Sequence, residues 1–167
     1  SYVSYLPDKD FLDINMSIED TIRMFADFYA DFDIGIAYKL LEDLQVPYKF
    51  KIKALSKGNR EKLMLILVMS RRSKLYVLDE PIAGVDPVAR DYILNTIVRN
   101  YNKTATVIIS THLIADVEKI LDDVIFIKDG EIIMHETSAA IRSGKGCSVD
   151  EYFREVYDDG QNDKVRI

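Results

Sequence analysis

Two adjacent carboxylates, Asp79 and Glu80, follow the apolar residues 75–78 and precede Pro81. This pattern predicts a buried strand whose carboxyl end opens onto a site. Placing two acids at the end of an apolar strand is costly unless a cation or a reacting water uses them. The pair therefore indicates a site for a metal ion or for a proton transfer.

A second apolar run, residues 105–109, also ends in polar side chains, Ser110-Thr111-His112. Residues 87–101, which begin with a proline, predict a helix between the two runs. Two buried strands joined by a helix favour a βαβ unit, in which both strands end on the same side of the sheet. We therefore expect His112 to share one rim of the sheet with the two acids, although in isolation it could simply cap a strand end.

A third polar group, Ser56-Lys57-Gly58-Asn59, stands just before the apolar residues 63–69. The pattern predicts a helix that starts at a small exposed turn and then enters the core. Such a start is a good N-cap, and it is also an anion site because its unpaired N–H groups and positive dipole end point outward. These residues alone leave both readings open.

The remaining elements are predicted to provide packing. Capped helices begin at Ser17 and Asp33, and residues 123–135 form a hairpin around the turn Asp129-Gly130. His135 lies in that hairpin and is interpreted as structural. The two capped helices are predicted to span residues 17–30 and 33–47, and further helices are predicted at residues 113–121, 137–142 and 149–157. A strand is predicted at residues 1–7 and a flexible turn at residues 144–146.

The composition of the 167 residues, 48% apolar and 30% charged, predicts a soluble globular protein with a real core. A net charge of -6 weighs against a nucleic-acid-binding surface. The single cysteine, Cys147, excludes an internal disulfide. The longest apolar run, residues 63–69, is far shorter than the roughly 18 residues that cross a bilayer. We expect a cytoplasmic location.

Taken together and in order, these motifs closely resemble those of the nucleotide-binding domain of ATP-binding cassette (ABC) transporters. The resemblance covers nearly the whole chain, and it implies an α/β fold with a partial P-loop NTPase (RecA-like) core, a mostly parallel sheet and an α-helical subdomain. The matching motifs are a signature motif at residues 55–59, a Walker B motif at residues 75–81, a D-loop at residues 83–86 and a switch histidine at residues 110–112.

The resemblance also implies a division of the chain into four parts. Residues 1–7 would be a remnant core strand leading into the Q-loop, and residues 8–73 the helical subdomain that ends in the signature helix. Residues 74–142 would be the RecA-like core, and residues 143–167 a C-terminal helix and tail.

ATP and Mg²⁺ are the cofactors that the resemblance implies. Phosphoryl transfer to water needs charge neutralisation on the phosphates, a group that activates the water and donors to the γ-phosphate. Asp79 resembles the Mg²⁺ carboxylate, and Glu80 resembles the catalytic base. His112 resembles the residue that binds the γ-phosphate and orients the water.

In the family, the signature helix binds ATP held by a second nucleotide-binding domain, arranged head to tail with the first. The ATP-binding residues implied here are Ser56, Lys57, Gly58 and Asn59, with Asp86 at the junction of the two sites. Lys57 stands in place of a glycine and Asn59 in place of a glutamine. Lys57 adds charge suited to phosphate, and Asn59 keeps the amide.

Two further departures from the family concern the phosphates. Asp8 stands where the Q-loop usually has glutamine, and an acid there can still ligate Mg²⁺ or its water. The sequence contains no Gly-x-x-x-x-Gly-Lys-Ser/Thr, the loop that cradles phosphate. We therefore expect a C-terminal fragment of a cassette that by itself neither binds ATP tightly nor hydrolyses it.

The resemblance predicts that the parent protein is the ATP-hydrolysing subunit of an ABC transporter. Its expected partners are a transmembrane permease subunit and a second nucleotide-binding domain, with no nucleic acid, and its expected place is the cytoplasmic face of the cell membrane. Two alternatives stay open. One is a soluble ABC ATPase that acts on ribosomes or DNA, and the other is a degenerate, non-catalytic interaction module.

Overall fold

The computed structural model describes residues 2–101 and 104–162. The chain forms two compact units, Ser1–His112 and Leu113–Ile167. The four-part division inferred from the resemblance stays a prediction, and residues 163–167 of its last part lie outside the described residues.

The first unit contains a three-stranded parallel sheet. Its strands are β1 (Val3–Leu6), β2 (Leu75–Asp79) and β3 (Thr106–Ser110), in the order β1-β2-β3. The register aligns Leu6 with Leu78 and Asp79 with Ser110. The predicted parallel sheet is confirmed, and the last residues of β2 and β3 lie side by side.

Strand β3 corrects one prediction, because it is not a buried strand. Its residues alternate between exposed and partly exposed, and Ile108 is 50% exposed. The reason is its position: β3 pairs only with β2 in the described sheet, whereas β2 is paired on both sides. The apolar residues of β2 that are fully buried are Tyr76 and Leu78.

The described part of the first unit contains four helices of eight or more residues, and each starts at a side-chain cap. The predicted caps Ser17, Asp33 and Ser56 are confirmed, and Asp86 is a fourth. The helices are α1 (Ile18–Phe28), α2 (Ile34–Asp43), α3 (Lys57–Met69) and α4 (Pro87–Asn100). Every residue of α3 from Leu63 to Met69 is buried, so the signature-like helix does run into the core.

A buried arginine fixes the connection between α3 and β2. Arg71 makes a bidentate ion pair with Asp31, at 3.0 Å to each oxygen, and donates to the carbonyl of Val3 at 2.8 Å. Its guanidinium lies 3.9 Å from the centre of the Tyr29 ring. The hydroxyl of Tyr76 donates to the Arg71 carbonyl. These bonds tie the end of α3 to both β1 and β2, and so set where β2 begins.

The second unit is a hairpin covered by helices. Strands β4 (Asp123–Lys128) and β5 (Glu131–Thr137) are antiparallel, and Asp129 and Gly130 have φ of 53° and 84°. This left-handed pair is the predicted Asp-Gly turn, which is therefore confirmed. The helices of this unit are α5 (Ile114–Val117), α6 (Ser138–Lys145) and α7 (Val149–Asn162), with a short 3₁₀ helix at Glu118–Ile120.

The flexible turn predicted at residues 144–146 is wrong. Gly144 and Lys145 belong to the last turn of α6, and Gly146 ends that helix in the left-handed conformation with φ of 70°. A glycine in this position is a common way to close a helix, since it adopts positive φ without steric cost. The Gly-Lys-Gly sequence is therefore a helix end.

Candidate functional site

The chain leaves strand β2 through a constrained residue. Glu80 directly follows the strand and has φ of 48°, in the left-handed region that residues other than glycine rarely adopt. Its N–H donates to the carbonyl of Ser110 at 2.9 Å, which extends the pairing with β3 by one residue. Such a conformation costs of order 1–3 kcal/mol and persists only where surrounding contacts hold it.

Three hydrogen bonds from the end of β3 hold the Glu80 carboxylate. The Thr111 hydroxyl donates to Oε2 at 3.0 Å, and the backbone N–H of His112 donates to Oε1 at 3.1 Å. The ring Nδ1 of His112 lies 2.7 Å from Oε1, so with an ionised carboxylate Nδ1 carries the proton. The imidazole is 70% exposed and stays accessible from solution. Glu80 and His112 therefore share one rim, as the βαβ arrangement predicts.

Asp79 is held by the neighbouring strand in the same way. The Ser110 hydroxyl donates to Oδ1 of Asp79, its partner in the parallel register. Ser110 and Thr111 were not among the predicted site residues, although each bonds one of the two acids. The sequence did contain a signal for both residues. The polar run 110–112 lies at the end of β3, which is parallel to β2, and the two acids lie at the end of β2.

The two acids border a cavity of about 190 Å³ next to the start of α3. The structure thus brings Asp8 and Lys57 to the same cavity as Asp79 and Glu80. Its polar and glycine lining consists of Asp8, Lys57, Glu61, Asp79, Glu80 and Gly84.

Glu61 was missed by the sequence interpretation, and it touches the predicted D-loop. A Cβ on Gly84 would overlap the Glu61 carboxylate, so glycine here permits a close approach. Oε2 of Glu61 is buried and has no hydrogen-bond partner within the described residues, while Oε1 lies 3.7 Å from Nζ of Lys57. The i, i+4 spacing from Lys57 was the available signal, since it puts the two side chains on one helix face.

The start of α3 is capped but otherwise open. Oγ of Ser56 accepts a hydrogen bond from the Asn59 N–H at 3.3 Å, which confirms the cap. The Lys57 side chain is exposed, and a Cβ added to Gly58 would meet nothing within 4 Å. Neither packing nor backbone conformation within the chain requires glycine at position 58. An anion-binding role for residues 56–59 stays a prediction.

Asp86 has a structural role in this chain. Its carboxylate caps α4 by accepting from the Ala89 N–H at 3.0 Å. One turn further on, Arg90 donates to the carbonyl of Val85 at 3.1 Å and fixes the loop before the helix. The role of Asp86 at the junction of two sites is not tested by these contacts and stays a prediction.

The carboxylate oxygens at the cavity fit Mg²⁺ only if phosphate oxygens also coordinate the ion. Within the described residues, no group of three or more His, Cys, Asp or Glu side chains is arranged to hold a metal ion. Mg²⁺ in phosphate-transfer sites commonly takes one or two carboxylates and completes its shell with water and phosphate oxygens. Asp79, with Asp8 at the same cavity, meets that smaller requirement.

The arrangement of the acids, the histidine and the helix start is typical of one class of protein. A parallel sheet carries an acid pair at its carboxyl edge, where α/β proteins bind ligands, and a helix start lies beside the acids. An acid that is hydrogen-bonded to an accessible histidine can activate and orient a water. These are features of nucleotide-hydrolysing α/β proteins.

Comparisons with known sequences agree, although no family model matches the chain. An uncharacterized ABC transporter ATP-binding protein of Methanocaldococcus jannaschii is 29% identical over 136 residues, which is 78% of this chain and 52% of that protein. The Nod factor export ATP-binding protein I of Burkholderia orbicola is 27% identical over 157 residues, covering 90% and 52%. The chain spans about half the length of the curated relatives it matches.

Solved structures show the same similarity. A structure described as the ATP-binding subunit of an ABC transporter aligns with a TM-score of 0.79 and 25% identity, covering 93% of this chain and 68% of that one. A putative ABC transporter ATP-binding protein from Pyrococcus furiosus aligns with a TM-score of 0.59 and 25% identity, covering 66% and 56%. The chain is therefore similar to the ATP-binding proteins of ABC transporters, and the predicted α/β fold with a partial P-loop NTPase core is confirmed.

Proposed function

We propose that the chain is the hydrolytic part of the ATP-binding subunit of an ABC transporter. The observation that carries the proposal is the Glu80 carboxylate, braced by Thr111 and His112 at the end of β2. The printed names of the relatives support transport over the alternative of action on ribosomes or DNA.

Glu80 would act as the base that activates the attacking water. Its two oxygens together offer about four acceptor positions, so three donors from the chain leave capacity for a water. The brace fixes the carboxylate in one orientation, which removes part of the entropy cost of positioning that water. The exposed ring of His112 would contact the γ-phosphate of ATP and orient the same water.

Asp79 would hold Mg²⁺, with Asp8 as a second oxygen donor at the cavity. When bound, the ion neutralises charge on the phosphates. The Ser110 hydroxyl keeps Asp79 in place at the strand end. This positioning costs no side-chain rearrangement when a ligand arrives, because Asp79 is already fixed by its strand partner.

The start of α3 would bind the phosphates of ATP held by a second nucleotide-binding domain. Ser56, Lys57, Gly58 and Asn59 would supply backbone N–H groups, a hydroxyl and a positive charge. The open space at Gly58 supports close approach of a ligand from outside the chain. Asp86 would lie where the two sites meet.

A transmembrane permease subunit would be the second partner, contacted through the helices of residues 8–73. The chain would then lie on the cytoplasmic face of the membrane. Among the residues that the structure describes, no helix is long and apolar enough to span a bilayer.

The test uses a form of the protein that includes a phosphate-binding loop. Glu80→Gln keeps the shape of the side chain but removes its basicity, so we expect turnover of ATP to fall by about 10²–10⁴-fold while ATP affinity is retained. Glu136→Gln, an exposed change on β5, is the matched control and should leave turnover unchanged. Near wild-type turnover in the Glu80→Gln variant would remove Glu80 from the role of base.

A further inference from the structure

A basic and aromatic segment stands out in this acidic chain. Residues 48–53 read Tyr-Lys-Phe-Lys-Ile-Lys, with three lysines and no acid, whereas the whole chain carries a net charge of -6. The segment lies between α2 and α3 and contains none of the residues assigned to ATP. Alternation of aromatic and basic side chains is typical of surfaces that meet a polar and an apolar environment together.

The fold anchors this segment at its end, at Ile52 and Lys53. The Ile52 side chain is fully buried, and the segment ends in a 3₁₀ helix at Ile52–Ala54. The N–H groups of Ile52 and Lys53 donate to the carbonyls of Met16 and Ile14, both at 3.0 Å. The backbone at Ile52 and Lys53 is therefore fixed by the fold, so little chain entropy is lost at this end of the segment when a partner binds.

Exposed rings and lysines meet at one open cavity of about 700 Å³. Tyr48 is 46% exposed and Phe50 is 56% exposed. Tyr38 of α2 packs edge-on against Tyr48, with ring centres 6.1 Å apart, and Lys39 and Lys49 also line the cavity. Lys51 and Lys53 do not line the cavity, but they follow its lining residues in the segment and are exposed. We call Tyr38, Lys39, Tyr48, Lys49, Phe50, Lys51 and Lys53 the basic-aromatic surface.

Its lysines carry uncompensated charge. Within the described residues, Lys39, Lys49, Lys51 and Lys53 form no ion pair within 4 Å, although the acid Glu42 also borders the cavity. Unpaired ammonium groups beside exposed rings favour a partner that offers both negative charge and an apolar phase.

We propose that the basic-aromatic surface binds directly to an anionic lipid bilayer. Aromatic rings settle at the headgroup level of a membrane, and lysines beside them interact with lipid phosphates. Because the rest of the chain is acidic, a negatively charged membrane attracts this surface and repels the other faces. The contact would therefore also orient the protein on the membrane.

Single-stranded RNA could use the same lysines and rings. The choice of lipid rests on the proposed function, because a transport subunit works beside a membrane. The vesicle test below contains neither ATP nor a membrane protein. A negative result for lipid therefore leaves the ATP proposal standing, and loss of the ATP proposal leaves the lipid measurement interpretable.

The experiment measures co-sedimentation of the chain with vesicles of phosphatidylcholine and phosphatidylglycerol and with vesicles of phosphatidylcholine alone. We expect binding to the anionic vesicles only, weakening as salt is added. The triple variant Lys49→Gln, Lys51→Gln, Lys53→Gln should lose affinity by about fivefold for each lysine, or about a hundredfold in all. The triple variant Lys9→Gln, Lys128→Gln, Lys145→Gln makes the same change in net charge elsewhere and should bind nearly as the wild type does.

A second variant tests the rings. Tyr48→Ser with Phe50→Ser should weaken binding while leaving its salt dependence intact, because the lysines remain. All the substituted side chains of the segment are exposed, and circular dichroism checks that each variant is folded. Equal binding by the two lysine triples, or no preference for anionic vesicles, would overturn the proposal. So would tighter binding of a single-stranded RNA oligonucleotide, or binding to a membrane protein in detergent without lipid affinity.

Discussion

The carboxyl end of β2 and the start of α3 border the same cavity but differ in how their polar groups are used. At the strand end, Glu80 accepts three hydrogen bonds and Asp79 accepts one from its partner on β3. At the helix start, Ser56 caps its own helix, the exposed Lys57 lies 3.7 Å from Glu61, and a Cβ on Gly58 would meet open space.

The difference shows which half of the candidate site the chain can build alone. The side chains at the strand end are positioned by hydrogen bonds within this 167-residue chain, so their geometry is set before a ligand binds. At the helix start, the chain supplies the Ser56 cap and a longer contact of 3.7 Å between Lys57 and Glu61. We expect changes at the strand end to lower ATP turnover, and loss of the Ser56 cap at the helix start to lower the stability of the chain.

The largest expected effect is at the strand end. In a form with a phosphate-binding loop, His112→Ala should lower ATP turnover by about 10²-fold, because it removes a donor to the reacting region. Thr111→Val removes one of three bonds to Glu80 and should cost about tenfold. His135→Ala is the matched control, since this exposed hairpin histidine lies outside the candidate site and its ring is 3.5 Å from the Asp123 carboxylate. Equal losses of ATP turnover in the two histidine variants would contradict a specific role for His112.

At the helix start, Ser56→Ala should lower the free energy of unfolding by about 1 kcal/mol, because it deletes the cap. Urea denaturation of the 167-residue chain measures this directly. Ser56→Asp keeps a capping oxygen and should recover most of the loss. If neither variant changed stability, the cap would not be formed in solution.

Gly58, at the start of α3, and Gly84, which lines the cavity, should respond to substitution in opposite directions. Gly58→Ala fills open space in a helix and should leave stability unchanged or raise it by up to about 1 kcal/mol. Gly84→Ala would push away the Glu61 carboxylate and should lower stability, with recovery when Glu61→Ala is added. Thermal unfolding of the three variants tests this, and a stable Gly84→Ala chain would contradict the close contact.

The smallest expected effect is on stability at acid pH, and it concerns Asp33, the cap of helix α2. The Arg72 guanidinium, hydrogen-bonded at 2.8 Å, and the Ile36 N–H lower the pKa of Asp33 from its ordinary value of 3.8. The unfolded chain therefore takes up the proton first. The stabilisation is complete above pH 3.8 and is lost as pH falls through the lower folded pKa.

Arg72→Gln should flatten this acid dependence, which urea titrations over acid pH would show. A variant that loses stability with acid as steeply as the wild type would argue against the ion pair. Because Asp33 is partly exposed, salt should also weaken the effect.

Much of the fold was predictable because local rules decide it. The caps at Ser17, Asp33 and Ser56 follow from short-range hydrogen bonding, and the Asp129-Gly130 turn follows from backbone freedom. The shared rim of Glu80 and His112 follows from the geometry of a βαβ unit.

What the sequence did not predict depends on contacts distant along the chain. The exposure of Ile108 depends on whether another layer covers β3, which an apolar pattern cannot reveal. The approach of Glu61 to Gly84 joins residues of two elements whose packing sets the distance. The left-handed conformation of Glu80 is imposed by its bonds to residues 110–112, and glutamate itself gives no signal for it.

These 167 residues contain the residues that we propose activate water, but no phosphate-binding loop. We therefore expect no tight binding of ATP, which isothermal titration of the chain with ATP and Mg²⁺ measures directly. We expect the titration to give no saturable heat in the micromolar range. A stoichiometric, Mg²⁺-dependent isotherm in that range would contradict it.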